Sequence, residues 1–466
     1  MTKIKEPARE GFLYHLWLER TFESIDLRTI DGQPVEILEK GERNFDAGPD
    51  FLNALVRIDD QLLRGDVEIH SIAGDWYAHG HHNDPRYNNV VLHIVTMECP
   101  ASFRSIRQNG TLIPTLNLDA FLEKPAEELE EDNPAPEKPR SDCALRRESG
   151  DIIHRIIEHY GDKRFALKSA RFAERRGAHS WDQLFYAALL EALGYAKNQI
   201  PFRHLAEVLP VDLLWRFVWN DPQVLALKKS EALLFGAAGL LPSQSTTPMP
   251  ILDQASQHYV DTLERIWQDF PGRRKLEALK PGSWQFFRLR PANFPTRRIA
   301  AAAAFAVNFM DEGFVGSLTR VLTDVNFNPR TAARELDQLF VLAGHPFWSR
   351  HFKFDESAAG GKKEAAIIGV ERARDIVVNV ALPVLSAYAG ETEDGRLKIA
   401  VSEIYNIYPR LKENEITRQM SERIFSSTKS QDIITGARMQ QGLIHLSKEV
   451  CRPDNCTACL SAYSDM

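Results

Sequence analysis

NFDAGPDFLNALVRIDDQLLRGDVEIHS, residues 44–71, reads as two strands folded back on each other. Phe51 to Ile58 and Leu62 to Ser71 are strand-like, and Asp59-Asp60-Gln61 supplies a three-residue turn between them. Such a turn sets Asp50 opposite His70 and Leu52 opposite Glu68, and opposed residues point to one face of a sheet. On the second strand the alternation is clear. Val67 and Ile69 point one way, and Asp66, Glu68 and His70 the other. On the first strand the even positions after Asp50 are apolar (Leu52, Ala54, Val56, Ile58), so Asp50 has to sit at the strand's start, where Gly48-Pro49 turns the chain.

A strand face of acid, acid and imidazole is costly unless solvated or bound to a cation. Two neighbouring carboxylates repel until a divalent ion sits between them, and hard oxygen ligands suit Mg²⁺ or Mn²⁺. Asp50 and Glu68 are the expected ligands. His70, with an ordinary pKa near 6.5, is competent as a base at neutral pH. The alternative is an ordinary polar sheet face paired with Arg57 or Arg64.

Outward from the hairpin, residues 9–22 carry Leu13, Leu16, Trp17 and Arg20 at helical spacing, and Val35 to Leu38 forms a short strand. Val90 to Met97 is a nearly continuous apolar run, as a central strand buried on both faces requires, and Leu112 to Leu118 adds another. Residues 123–142, rich in Glu and Pro, cannot bury a core and read as a linker. Beyond them, Ala- and Leu-rich runs such as WDQLFYAALLEALGY predict a mainly helical region over 143–466. Between its helices sit KNQIPF, RPANFP and HPFW, read as connectors in which Pro ends a helix.

The order Pro49-Asp50, a spacer, then Glu68-Ile69-His70 resembles the signature of the PD-(D/E)XK nuclease superfamily, with His70 where the superfamily has Lys. The resemblance implies a restriction-endonuclease-like mixed sheet over residues 1–122 and a phosphodiester hydrolase with Asp50 and Glu68 as metal ligands. It also implies an acidic residue on the first helix, for which Glu10 and Glu19 stand ready. His in place of Lys removes a fixed positive charge from the site. The whole chain is moreover similar to an uncharacterised bacterial family, a domain of unknown function, through GPDF, GDVEIH, DWYAHGHHNDPRYNNVVLH, KNQIPF, RPANFPTRR and the terminal cysteines.

Four histidines follow the hairpin closely: His79, His81, His82 and His93. With two acids nearby they offer a Zn, Mn or Fe site. In the nuclease reading Asp75, Trp76, His79 and His81 instead line a substrate cleft, and Trp76 and Tyr87 stack on bases or pack in the core. Cys451, Cys456 and Cys459 have the spacing C-x4-C-x2-C, which points to Zn²⁺ or a [4Fe–4S] cluster rather than disulfides. Cys143 is the candidate fourth ligand, ahead of Cys99 and His445.

The composition is 44% hydrophobic and 26% charged, with a net charge of −7, which argues against indiscriminate binding to nucleic acid but leaves room for a local basic groove. Gly161 to Arg176 holds six Lys or Arg against two acids, and Gln285 to Arg298 holds four Arg and no acid. Solvated helix faces explain such runs, and so does a grip on phosphates through Lys163, Arg164, Lys168, Arg171, Arg288, Arg290, Arg297 and Arg298. No apolar run approaches the roughly 20 residues that cross a bilayer, and MTKIKEPAREG has no apolar leader core, so a cytoplasmic protein without membrane contact is expected. The expectation is an α/β nuclease-like domain that cuts or binds DNA or RNA, joined to a helical domain that grips it. Two alternatives are a metal hydrolase on another substrate, built from Glu68, His70, His79, His81 and His93, and a degenerate nuclease fold kept for binding.

Overall fold

Helix α1 (Glu10–Glu19) turns Phe12, Leu13, Leu16 and Trp17 to one side, and that stripe covers one face of a mixed sheet. Fully burying each of these side chains contributes roughly 1.5–3 kcal/mol. The structure is a computed structural model. It describes the chain except residues 1–7, 9, 20–25, 45–47, 98, 127, 130–142, 178, 196, 246–251, 288, 357–365, 426–432, 452–458 and 460–466, and the side chains of residues 10, 11, 15 and 19. Two compact units divide it, Met1–Arg140 and Ser141–Met466.

The strands of the first unit are β1 (Leu27–Arg28), β2 (Pro34–Glu39), β3 (Glu42–Arg43), β4 (Phe51–Ile58), β5 (Gln61–His70), β6 (Val90–Val95), β7 (Ser105–Ile106), β8 (Leu112–Ile113) and β9 (Thr115–Asn117). The main sheet runs β1-β2-β4-β5-β6-β9, with β3 on β4, and β7 and β8 form a separate ribbon. Pairing is antiparallel as far as β5, while β5, β6 and β9 run parallel. A parallel neighbour requires a crossover. Here it consists of the one-turn helix α2 (Asp75–Ala78) and two tight turns, His81–Asn83 and Pro85–Asn89. Every residue of β6 is buried, as its apolar run predicts for a central strand.

The hairpin register differs from the expected one. Its loop has two residues, Asp59-Asp60, with Asp59 at φ 49°, and pairs Ile58 with Gln61 and Ala54 with Gly65. A bulge at Leu52-Asn53 then shifts the pairing so that Phe51 faces Val67. Asn53 sits at φ 59°, and its N–H donates to Asp66 Oδ1 at 3.1 Å. The expected pairs Asp50/His70 and Leu52/Glu68 do not form. The one-residue slip brings Phe51 onto the buried face with Ala54, Val56 and Ile58, and relieves the parity conflict at Asp50. Gly65 is needed where β5 meets the start of β6, because a Cβ there would lie 2.4 Å from Val91 Cγ1 and 2.5 Å from Asn89 O.

The second unit is mostly helical around one large apolar core, with a smaller cluster joining the helix Gly150–Arg175 to the helix Ala437–His445. The connectors do more than end helices. Pro201 and Pro295 lie in the first turns of Gln199–Val208 and Pro295–Asn308. Asn198, fully enclosed, clasps the Gln285 backbone with bonds of 2.8 and 2.9 Å. No helix among the described residues is long and apolar enough to cross a membrane.

Candidate metal centre

Strand parity delivers Glu68 and His70 to the sheet face opposite α1, and the crossover folds His79 and His81 back over them. Glu68 is 5% and His70 2% exposed. Glu68 Oε1 lies 3.4 Å from His70 Nε2 and 3.2 Å from His81 Nε2. One ligand atom from each of His70, His79 and His81 falls within 4.8 Å of the others. Three imidazoles thus converge, with the Glu68 carboxylate beside two of them and only His79 well exposed to solvent. Tyr87 stacks on His81 at 3.9 Å, forming a wall behind it.

Asp50 enters differently from the sequence expectation. Its main-chain N–H donates to Glu68 Oε2 at 2.9 Å, which leaves Oε1 to face the imidazoles. Its own carboxylate accepts from the Ile69 N–H at 2.9 Å and from Arg43 Nη1 at 3.1 Å. Burial raises the Asp50 carboxyl, opposed by these bonds and by Tyr14. Asp50 is therefore next to Glu68, yet its carboxylate is turned into the Ile69–Arg43 cradle. Glu10 and Glu19 are the end residues of α1, and their side chains lie outside the described residues.

Behind His70 runs a relay the sequence did not disclose. His70 Nδ1 is 2.9 Å from His93 Nε2, His93 Nδ1 is 2.7 Å from Ser105 Oγ, and Ser105 Oγ is 3.3 Å from Thr115 Oγ1. With His70 Nε2 presenting a lone pair to the centre, the proton sits on Nδ1 and is donated to His93, which in turn donates to Ser105. Burial, with smaller repulsions among the imidazoles, pulls His70 down to about 2, His93 to about 3 and His81 to about 4. All three are neutral at pH 7, the form that ligates metal. The donor set and its outer hydrogen bonds fit a first-row transition ion better than Mg²⁺.

Trp76 is fully buried, and its Nε1–H is held by the Ile106 carbonyl at 2.9 Å, so it offers no face to a base. Tyr87 is likewise core. Asp75 starts α2 and is half-buried.

The basic residues divide. Arg297 and Arg298 are 1% and 4% exposed and are held by the carbonyls of Ala366 and Ile367, with Arg298 also on Asn293. They brace the fold and do not face phosphates. Arg164 binds Gln441 at 2.8 Å, and the partly buried Lys168 binds Asn379 and Gln441. Lys163, Arg171 and Arg290 are exposed, and Arg288 lies outside the described residues. Cys143, Cys451 and Cys459 join one apolar cluster around Leu145, Tyr160 and Leu446, although some 300 residues separate the first from the others. His445 stacks on the same Tyr160 at 5.6 Å. Cys456 lies outside the described residues, and Cys99 belongs to the first unit and is not a member of that cluster.

Neither a curated protein nor a solved structure matches the chain. Residues 10–415 match the family model described as a protein of unknown function, DUF2851, and the chain belongs to that family.

Proposed function

We propose that the first unit is a metal-dependent phosphodiester hydrolase whose ion is held by Glu68, His70, His81 and His79. The observation that carries this reading is Glu68 Oε1 poised 3.4 and 3.2 Å from two buried imidazole nitrogens, with the third imidazole, His79, exposed beside them. When bound, a transition ion there lowers the pKa of a water and stabilises charge developing on a phosphate. The chain's own residues hold the rest in place. The Asp50 N–H fixes Glu68, His93 fixes the His70 tautomer, and Tyr87 limits water behind His81. His70 is then a ligand rather than a base, because its second nitrogen is committed to His93.

A phosphate substrate is supported by two features. Pro49-Asp50 immediately precedes β4, and Glu68-x-His70 ends the antiparallel neighbour β5, in the order the nuclease resemblance implies. Two guanidiniums also flank the centre: Arg43 on Asp50, and Arg86, whose charge is felt by His81. The test is elemental analysis of the full chain, together with incubation of labelled single- and double-stranded DNA and RNA with Zn²⁺ or Mn²⁺. Wild type carries one equivalent at this centre and cleaves, while Glu68→Ala and His81→Ala lose both. Bound metal without cleavage of any oligonucleotide moves the activity to another substrate. Cleavage that survives Glu68→Ala ends the proposal.

A separate metal is proposed at the other end of the chain. The C-x4-C-x2-C spacing, with Cys143, Cys451 and Cys459 all packed on one apolar cluster, supports zinc or an iron–sulfur cluster completed by Cys456, although among the described residues the three sulfurs do not form a close ligand group. Cys459→Ser should remove that metal and leave the equivalent at Glu68 in place. Visible absorbance separates a cluster from colourless zinc.

A further inference from the structure

Two adjoining cavities of about 330 and 270 Å³ lie along the C-terminal half of the helix Gly150–Arg175. They share Phe172, Arg175, Ala188 and Glu191 as walls. Together they are large enough for a nucleotide-sized ligand. Lys168, Arg171 and Arg175 recur along that helix at spacings of three and four, which places all three on one face of it. Arg203, from the helix Gln199–Val208, faces them across the groove.

Two acids, Glu191 and Glu207, line the cavities against the four cations Lys168, Arg171, Arg175 and Arg203, and the excess of positive charge lies on the side of Lys168 and Arg171. Glu191 is 3.7 Å from Arg175 and 4.0 Å from Arg203, both loose contacts, and Arg171 makes no ion pair among the described residues. The backbone is irregular at the same place. The helical run from Val370 to Glu391 is interrupted by a π-helical turn, Val377–Ala381, and that turn carries Asn379 to Lys168. Such turns cost regular hydrogen bonding and recur at binding sites. Phe172, partly buried, adds a flat apolar wall between the two cavities. Burial, and then the charges of Arg164, Lys448 and Arg171, pulls the Lys168 ammonium down to about 7, a cost that a bound anion would offset.

We propose that this groove binds one nucleotide unit, its phosphate against Lys168, Arg171 and Arg175 and its base against Phe172. A free nucleotide and a nucleotide within a single strand share that chemistry. Phosphate contacts by Lys and Arg are salt-dependent, and a base on an aromatic ring adds sequence-tolerant affinity. The site does not depend on the metal centre, and the test keeps the two apart. Binding of a fluorescein-labelled oligothymidylate to the full-length Glu68→Ala chain is followed by anisotropy in EDTA.

Arg171→Glu, an exposed position that leaves the core untouched, should weaken binding roughly tenfold and lower the salt slope by about one. Phe172→Leu should weaken binding without changing the slope. Displacement of the oligonucleotide by thymidine monophosphate at comparable concentrations assigns the groove to free nucleotides. Failure of the mononucleotide to compete assigns it to a strand. Equal affinity and equal salt slope for wild type and Arg171→Glu, or no measurable binding by either, overturns the proposal.

Discussion

Among the described residues a buried glutamate meets histidine in each unit, and the two arrangements are built for opposite ends. In the second unit Glu231 Oε1 lies 2.8 Å from His345 Nε2, the residues being 1% and 8% exposed. His345 Nδ1 accepts the Phe347 and Trp348 amide N–H groups, so its proton is on Nε2 and points at the carboxylate. Tyr259 takes the Trp348 indole N–H at 2.9 Å and bonds Glu231 with its hydroxyl. Glu231 Oε1 and His345 Nε2 have only each other as close polar neighbours among the described residues, and both residues are buried. In the first unit Glu68 meets two imidazoles, which in the metal-ligating tautomer present lone pairs to it instead of protons, with a third imidazole open to water. The same residue types therefore make a structural clasp in one place and a ligand set in the other. What separates them is where the imidazole protons are held.

The difference in proton placement breaks or survives on one pair of substitutions. Glu231→Gln sets an amide N–H₂ against the His345 Nε2–H, donor against donor, and should lower stability by about 2 kcal/mol. Glu68→Gln in chelator meets a lone pair on His81 and keeps an acceptor for the Asp50 N–H, so it should cost well under about 1 kcal/mol. Urea denaturation in EDTA compares them. If Glu68→Gln proves as damaging as Glu231→Gln, the imidazoles of the first unit carry protons toward Glu68, and it is a clasp too.

A smaller effect sharpens the same point. His93 touches no substrate in this reading. It positions His70 by accepting its Nδ1–H, and outer partners of this kind tune metal affinity. His93→Gln should weaken metal binding roughly tenfold, about 1.4 kcal/mol, while leaving the stoichiometry at one equivalent. Competition with a chromogenic chelator reads the affinity. A merely structural His93 would lower thermal stability in chelator without moving the metal affinity of the folded protein.

How far the sequence carried the reading depends on the range of the interaction. Alternation along β5 is local, so Val67 and Ile69 against Glu68 and His70 could be read directly, and the apolar run of β6 announced a central strand. The bulge at Leu52-Asn53 could not, because a one-residue slip changes pairing without changing composition. It alone decides that Asp50 offers Glu68 an amide and not a second carboxylate. His93 became a partner of His70 through the parallel register, Glu68 beside His93, which is set by the crossover. Arg297 and Arg298 were read as a phosphate grip or a solvated face because their run, Gln285 to Arg298, holds four Arg and no acid, and the carbonyls that hold them come from residues 366 and 367. The cysteine cluster gathers residues from opposite ends of the second unit, and only spacing within its last part was visible in the chain.

Lys168 tests the other side of the comparison, a group of the second unit that its neighbours do not neutralise. Arg164 and Arg171 on its own helix and Lys448 from the turn Leu446–Cys451 face it as like charges, with Asp375 opposing them and the uncharged Asn379 and Gln441 as hydrogen-bond partners. Its folded pKa is lowered to about 7, below the ordinary lysine value near 10.4 in the unfolded chain. Between these limits the unfolded state binds more protons than the folded one, so stability rises with pH, by at most about 1.4 kcal/mol per unit. Below about pH 7 both states are protonated and the full penalty is present. The stability difference between wild type and Lys168→Met, measured from pH 7 to 9.5, should therefore swing in favour of wild type as pH increases. A difference that stays flat with pH would mean that the ammonium is solvated or neutralised by the surrounding carboxylates. The groove beside Phe172 would then have no uncompensated positive charge at Lys168 with which to draw an anion.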